Sequence, residues 1–383
     1  MISEEFSDIE PYDDSQFQQR MTELVKEPGF EHAVRFVMPD VDYPAFVKEL
    51  TSITSQDAFQ HEIMAPFLEL LAHKTTAGIS VTGLSNYDPQ HAFTFITNHR
   101  DIVLDASFLN LCFLRNDMPT SEVAIGNNLL IYPWIDTLVR LNKSFIVKRD
   151  LKITRALEAA HQLSAYIHYA IGTKHQSVWI AQREGRAKDS NDRTQESLVK
   201  MLGLEGGGTI IDNVAAVHLM PVSISYEYDP NDYLKAREFL LKRNNPGFKK
   251  SQHDDLFSME TGLLQFKGRM HFTIHPCINE ELAKIPADTD RHEALHRICA
   301  LIDSAIHSGY KIYPINYIAY DELRGCDEFA SQYTAEEVAE FKNYIDGQLA
   351  KVDIPDLSDD DKAYMRHMML TMYSNPLRNK LRR

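Results

Sequence analysis

His99 closes the apolar run Phe93-Thr94-Phe95-Ile96-Thr97-Asn98 and stands just before the helix-like stretch Asp105-Ala106-Ser107-Phe108-Leu109. A histidine at the exit of a strand presents a base where a substrate hydroxyl can meet it. With an unperturbed pKa of about 6.5, imidazole accepts a proton at neutral pH, and a neighbouring carboxylate fixes its tautomer and supports the imidazolium that forms. Asp105 is the first choice for that carboxylate and Asp101 the second. The competing reading makes His99 a surface residue and the aspartates helix caps, since an Asp side chain satisfies terminal backbone amides. The chemistry suggested is transfer to a hydroxyl, and it needs no separate protein nucleophile.

Two basic segments follow. One runs from Lys143 to Arg155; the other, Gln182-Arg183-Glu184-Gly185-Arg186-Ala187-Lys188-Asp189, comes directly after the strand-like Ser177-Val178-Trp179-Ile180-Ala181. Both lie where α/β enzymes bind ligands, beyond the carboxyl ends of strands. Guanidinium groups make paired, charge-assisted bonds to phosphate oxygens, so Arg149 and Arg186 are the preferred anchors for a phosphate, with Lys148, Arg183 and Lys188 extending the patch. Solvated charge is the alternative, and only proximity to His99 would make these residues a site.

The elements that must position these groups are legible in outline. Apolar residues at spacings of three and four make 41–73 helical, with an interruption near Thr54-Ser55, whereas 1–40 reads as acidic and irregular at first, broken by Pro11, Pro28 and Pro39. Strands are predicted at 79–84, 92–97, 145–147, 177–181 and 219–225, with helices at 105–114, 132–141, 155–171 and 196–202. This alternation implies an α/β fold, a mixed or mostly parallel sheet flanked by helices, with helical additions at both ends. The boundaries expected are a helical lead-in at 1–75, a catalytic domain at 76–285 and a mainly helical addition at 286–383. Tyr313-Pro314-Ile315-Asn316-Tyr317 reads as an edge strand or a tight connection. Tyr132 to Leu141 offers an amphipathic surface that either meets an apolar ligand or packs in the core.

Composition narrows the class. Of 383 residues, 44% are hydrophobic and 25% charged, the balance of an ordinary folded protein. A net charge of -15 disfavours a broad nucleic-acid surface, although local basic patches remain able to bind phosphate. The start, Met1-Ile2-Ser3-Glu4-Glu5-Phe6, lacks the basic and apolar pattern of a signal peptide, which gives a cytoplasmic expectation. Cys112, Cys277, Cys299 and Cys326 are too far apart for a metal knuckle or a redox dithiol. His292-Glu293-Ala294-Leu295-His296 matches a zinc-binding pattern, but Leu295 and Ile298 make it an amphipathic helix with histidines on its flank, and no metal is expected.

Four ordered blocks over about 92–228 resemble the glycerophosphate and lysophosphatidate acyltransferase family. Asn98-His99-Arg100-Asp101-Ile102-Val103-Leu104-Asp105 is similar to the family's His-x4-Asp block, with five residues rather than four between His99 and Asp105. Phe145-Ile146-Val147-Lys148-Arg149-Asp150 resembles its Phe-Ile-x-Arg segment with one extra residue. Ile180-Ala181-Gln182-Arg183-Glu184-Gly185-Arg186 looks like a variant of Phe-Pro-Glu-Gly-x-Arg without the spacer, and Leu219-Met220-Pro221-Val222 resembles a strand-embedded proline block. The resemblance implies catalysis by His99 with Asp105 or Asp101. It implies acceptor binding by Lys148, Arg149, Arg183, Glu184, Gly185 and Arg186. It also implies transfer of a fatty acyl group from acyl-CoA or acyl-carrier protein to a glycerol-phosphate-type lipid, lysophosphatidate first, with no further cofactor. The expected setting is phospholipid biosynthesis at the cytosolic face of a membrane, held peripherally. Acylation of an amino-acid lipid, or lipid binding without catalysis on the same fold, are the alternatives. The basic end Arg378, Lys380, Arg382 and Arg383 is a lesser candidate for anchoring.

Overall fold

The structure, a computed structural model, describes residues 5–149 and 151–382. Asp150 of the second block, Arg383 of the basic end and the first four residues lie outside them.

Among the described residues, seven strands form one sheet: β1 (Ile79–Thr82), β2 (Thr94–Thr97), β3 (Glu122–Gly126), β4 (Ser144–Val147), β5 (Val178–Ala181), β6 (Leu219–Tyr226) and β7 (Met270–Ile274), in the order β1-β7-β6-β2-β5-β3-β4. Every neighbouring pair is parallel except β6 with β7. The fold is therefore the mixed, mostly parallel sheet expected, flanked by helices and extended by helices at both ends. β2 lies at its centre and is buried throughout, as a short apolar run covered on both faces must be. Its register pairs Thr97 with Ala181 of β5, so the chain leaves β2 at His99 beside the point where it leaves β5 toward Arg183. Gly126 pairs with Val147, which brings the end of β4, and with it Arg149, to the same edge of the sheet.

Both faces are filled. Phe95 packs with Phe108, Leu109 and Phe113 of helix Leu104–Leu114, buried on nearly every side, while Ile96 packs with Tyr166, Ile167 and Ile171 of helix Ile153–Gly172. The N-terminal helices make a separate cluster in which Phe17, Phe30, Leu50 and Phe59 meet Trp134, Leu138 and Leu141. A C-terminal bundle of helices Pro314–Arg324, Ala335–Leu349 and Asp359–Leu381 takes up Tyr233 and Leu240 of helix Asp232–Asn244.

Several expectations need correction. Residues 14–37 are not irregular: Asp13 caps helix Asp14–Leu24, and although no helix runs through Pro28, it opens helix Pro28–Val37, because a first-turn residue has no intrahelical N–H bond to lose. Tyr313 to Tyr317 is neither a strand nor a tight connection. Pro314 starts a helix there, and the Asn316 side chain accepts from the Tyr313 amide at 2.8 Å. Pro221 sits in the interior strand β6, not at an edge, and its carbonyl still accepts from the His275 amide at 3.0 Å. Strands β3 and β7 were absent from the sequence reading.

Candidate active site

The exit of β2 is fixed by a side chain acting as backbone. Asn98 donates to the Ile224 carbonyl (2.9 Å) and accepts from the Ile224 amide (2.8 Å), which locks the first residue after β2 to β6. The chain then turns, and His99 Nδ1 lies 2.8 Å from Asp105 Oδ2. That oxygen also accepts from the amides of Arg100 (2.6 Å) and Asp101 (3.1 Å). Three donors on one carboxylate oxygen hold the turn closed, and the five-residue spacing is accommodated within it. With Asp105 as acceptor, the imidazole carries its proton on Nδ1 and leaves Nε2 as the basic nitrogen. Trp179 of β5 packs edge-on against the ring, with centroids 5.7 Å apart.

Of the two aspartates, Asp105 meets the histidine and Asp101 does not. Asp101 Oδ1 accepts from the amides of Val103 (2.9 Å) and Leu104 (2.8 Å), capping the helix start. Burial pushes its carboxyl pKa upward, and the neighbouring Asp105 adds to the shift. Helix Gln252–Leu264 closes over it so tightly that a Cβ on Gly262 would come within 2.0 Å of Asp101 Oδ2. Tyr226 is buried close by, and burial together with Asp105 and Asp101 opposes its ionisation.

His99 lines a cavity of about 1920 Å3, and so do Lys148, Arg149, Arg183, Glu184, Gly185 and Arg186. All the residues expected to bind acceptor therefore share one hollow with the candidate base, but their states differ. Lys148 is engaged by Asp8 and, at 2.8 Å, by Gln162. Lys188 pairs with Glu238, yet burial still brings its ammonium down to about 8. Arg149 lies 4.0 Å from Glu184 and packs against Gly126, where a Cβ would approach its Nε to 2.8 Å. Arg183 Nε and Arg186 Nη1 are buried without a hydrogen-bond partner among the described residues. Buried donors left open this way are the groups an anionic ligand would satisfy. Gly185 turns the loop with φ +66°, and nothing lies within 4 Å of the position its Cβ would take; conformation rather than space favours glycine there.

Much of the remaining cavity wall is apolar, with Phe30, Val34, Phe46, Ile63 and Phe67 of the N-terminal helices and with Trp134 and Leu138, which pack in the same cluster as Phe30 and Ile63. Helix Pro133–Leu141 contributes to both the N-terminal cluster and the cavity wall.

The sequence reading missed the buried frame behind the loop. Arg100 forms a two-pronged pair with Asp192 (2.9 and 2.6 Å), Tyr310 donates to the same carboxylate, and Lys235, itself paired with Asp229, donates to the Arg100 carbonyl at 3.2 Å. The partners stand 92 and 135 residues from Arg100, and no local spacing signals them. His292 and His296 are exposed on helix Arg291–Gly309, and among the described residues no group of three or more histidine, cysteine, aspartate or glutamate side chains could hold a metal ion.

No family model matches the chain, and no curated protein matches it. Among solved structures, it is similar to the 1-acyl-sn-glycerophosphate (LPA) acyltransferase of Thermotoga maritima, at 10% identity over 77% of this chain and 99% of that one, with a TM-score of 0.39. At that distance, any function must rest on this chain's own residues.

Proposed function

We propose that the protein is an acyl-thioester-dependent O-acyltransferase whose acceptor is a phosphate-bearing lipid alcohol, lysophosphatidate first. The observation that carries this reading is the His99–Asp105 pair beside a largely apolar cavity also lined by Arg183 and Arg186, each of which has a buried nitrogen with no partner among the described residues. Nε2 of His99 takes the acceptor's hydroxyl proton as the oxygen attacks the thioester carbonyl, and Asp105 supports the imidazolium. Collapse of the tetrahedral adduct breaks the carbon–sulfur bond, and the proton passes to the departing thiolate. Arg183 and Arg186, with Arg149 beside them, hold the acceptor phosphate, and the apolar wall takes the acyl chains. Acyl-CoA or acyl-carrier protein is the donor, and the 76–285 segment is the catalytic domain.

Product analysis with purified protein, acyl-CoA or acyl-carrier protein, and matched acceptors tests this directly. The expected product is the acylated phospholipid. Turnover only with acceptors lacking phosphate would reject the acceptor assignment, and no turnover with any acceptor would favour lipid binding without catalysis.

No helix among the described residues is long and apolar enough to cross a membrane. Peripheral association is the mode proposed, and the cavity rim is the face that would make it. Phe36 (51% exposed), Leu70 (36%) and Tyr132 (49%) are exposed and line the cavity, and Phe257 and Leu264 are exposed on helix Gln252–Leu264, whose Leu256, Met259 and Leu263 line it too. Clustered apolar exposure around a lipid cavity suits a bilayer surface. Replacing Phe36 and Tyr132 together by aspartate is expected to weaken vesicle binding on the order of a hundredfold, since each large apolar side chain contributes about 1.5–3 kcal/mol when buried. Unchanged flotation with vesicles would rule out this face.

A further inference from the structure

A second concavity, of about 500 Å3, opens between helices Pro314–Arg324 and Asp359–Leu381. Arg324 enters it from the first helix, while Arg378, Arg382 and His367 enter from the second and its end. Three guanidinium groups meeting in one groove run against a chain whose net charge is -15. Their present contacts leave donors open: Arg378 reaches Asn375 Oδ1 at 3.3 Å, and Arg324 touches the Tyr320 hydroxyl and lies 3.9 Å from Glu328. Ser374 lines the same groove at 1% exposure, and its hydroxyl has no partner among the described residues. A buried hydroxyl without a partner costs stability, which a ligand oxygen would recover.

We infer that this groove binds the dianionic phosphate of a phosphomonoester or of free phosphate. Guanidinium forks make paired bonds to phosphate oxygens, and three forks with a hydroxyl beneath them offer more donors than a single carboxylate can accept. Leu323, Leu381 and Tyr320 supply an apolar wall for the organic part of an ester. The site lies outside the catalytic cavity, yet its helix also carries the loop after β5: Asn375 donates to the Asp189 carbonyl at 2.7 Å, and Lys380 holds the Tyr310 carbonyl at 2.6 Å. Lys380 is thus turned inward, and Arg378 and Lys380 of the basic end stand on the helix itself, with Arg382 at its cap.

The test uses the full chain with Arg149→Ala, Arg183→Ala and Arg186→Ala, which removes every guanidinium that the proposed function assigns to the acceptor phosphate in the catalytic cavity. Phosphorus NMR titration with inorganic phosphate is expected to show one remaining site in this background. Adding Arg324→Ala and Arg378→Ala is expected to weaken that site roughly a hundredfold, the loss that two charge-assisted contacts imply. No site in the background protein, or binding unchanged by the added pair, overturns the inference. Circular dichroism guards against unfolding, and Arg324→Lys with Arg378→Lys keeps the charge while removing the forks; binding equal to the arginine form would reject paired recognition. Flotation with phosphatidylcholine vesicles, with and without phosphatidate, separates the sources. A phosphatidate preference lost with Arg324→Ala and Arg378→Ala makes the ligand a lipid headgroup, whereas phosphate binding without that preference makes it a soluble phosphate.

Discussion

Replacing His99 by alanine is expected to lower acyl transfer by about 10²–10⁴-fold, the range a positioned general base supplies. The fold should survive. Removing the imidazole leaves Asp105 Oδ2 still accepting from the Arg100 and Asp101 amides, so no buried carboxylate is stranded, and the lost ring is partly exposed into the cavity. The measurement is kcat on the purified variant alongside its thermal unfolding and vesicle binding. Transfer at the level of the unmodified protein would eliminate His99 as the base. Loss of transfer together with the fold would be uninformative for the pair, so Asp105→Asn supplies a second arm: it keeps the size of the side chain but replaces one carboxylate oxygen with an amide nitrogen. Its expected signature is a large fall in kcat with vesicle binding unchanged, since the membrane-facing rim at Phe36 and Tyr132 belongs to other elements.

What the sequence disclosed and what it hid divide along contact range. β2 and β5 are short apolar runs, and Asp105 lies six residues from its partner, so base, carboxylate and their strand are local features. Strand β3 begins with Glu122 and ends in Gly126, a poor strand on propensity; it is paid for by tertiary contacts, with Tyr166 and Lys174 both engaging the Glu122 carboxylate. β7 alternates between buried and half-buried positions, but its partners lie far upstream, β1 about 190 residues away. Lys148 reads as an extension of the phosphate patch beside Arg149 because nothing nearby in the sequence reveals that Asp8 would occupy it. The apolar cavity was invisible for a related reason. Phe46, Ile63 and Phe67 read as core positions of an amphipathic helix, and whether a helical stripe meets a neighbour or lines a hollow depends on how far apart the elements come to rest.

The largest stability effect is expected at Asp192. Its carboxylate takes both prongs of the fully buried Arg100, whose charge is opposed by burial but sustained above its ordinary pKa by Asp192, with Tyr310 and Asp229 contributing. Asp192→Ala would leave that guanidinium buried and uncompensated, a loss of about 3–5 kcal/mol. A lower urea midpoint measures it, and an unchanged midpoint would show that the pair contributes little. A compensating double variant, Arg100→Met with Asp192→Leu, then separates stability from positioning, because replacing both members of a buried pair with apolar side chains is often neutral or stabilising. The midpoint should recover in large part, short of the cost of the buried Tyr310 hydroxyl, which loses its acceptor. Activity should not: Arg100 is the residue after His99, its amide holds Asp105, and Asp192 lies in the same loop region as Arg183 and Arg186, so the pair ties the base loop to the acceptor loop. Displacement of reacting groups by about 1 Å can cost on the order of a hundredfold in rate. Recovery of both midpoint and kcat would instead assign the pair to stability alone.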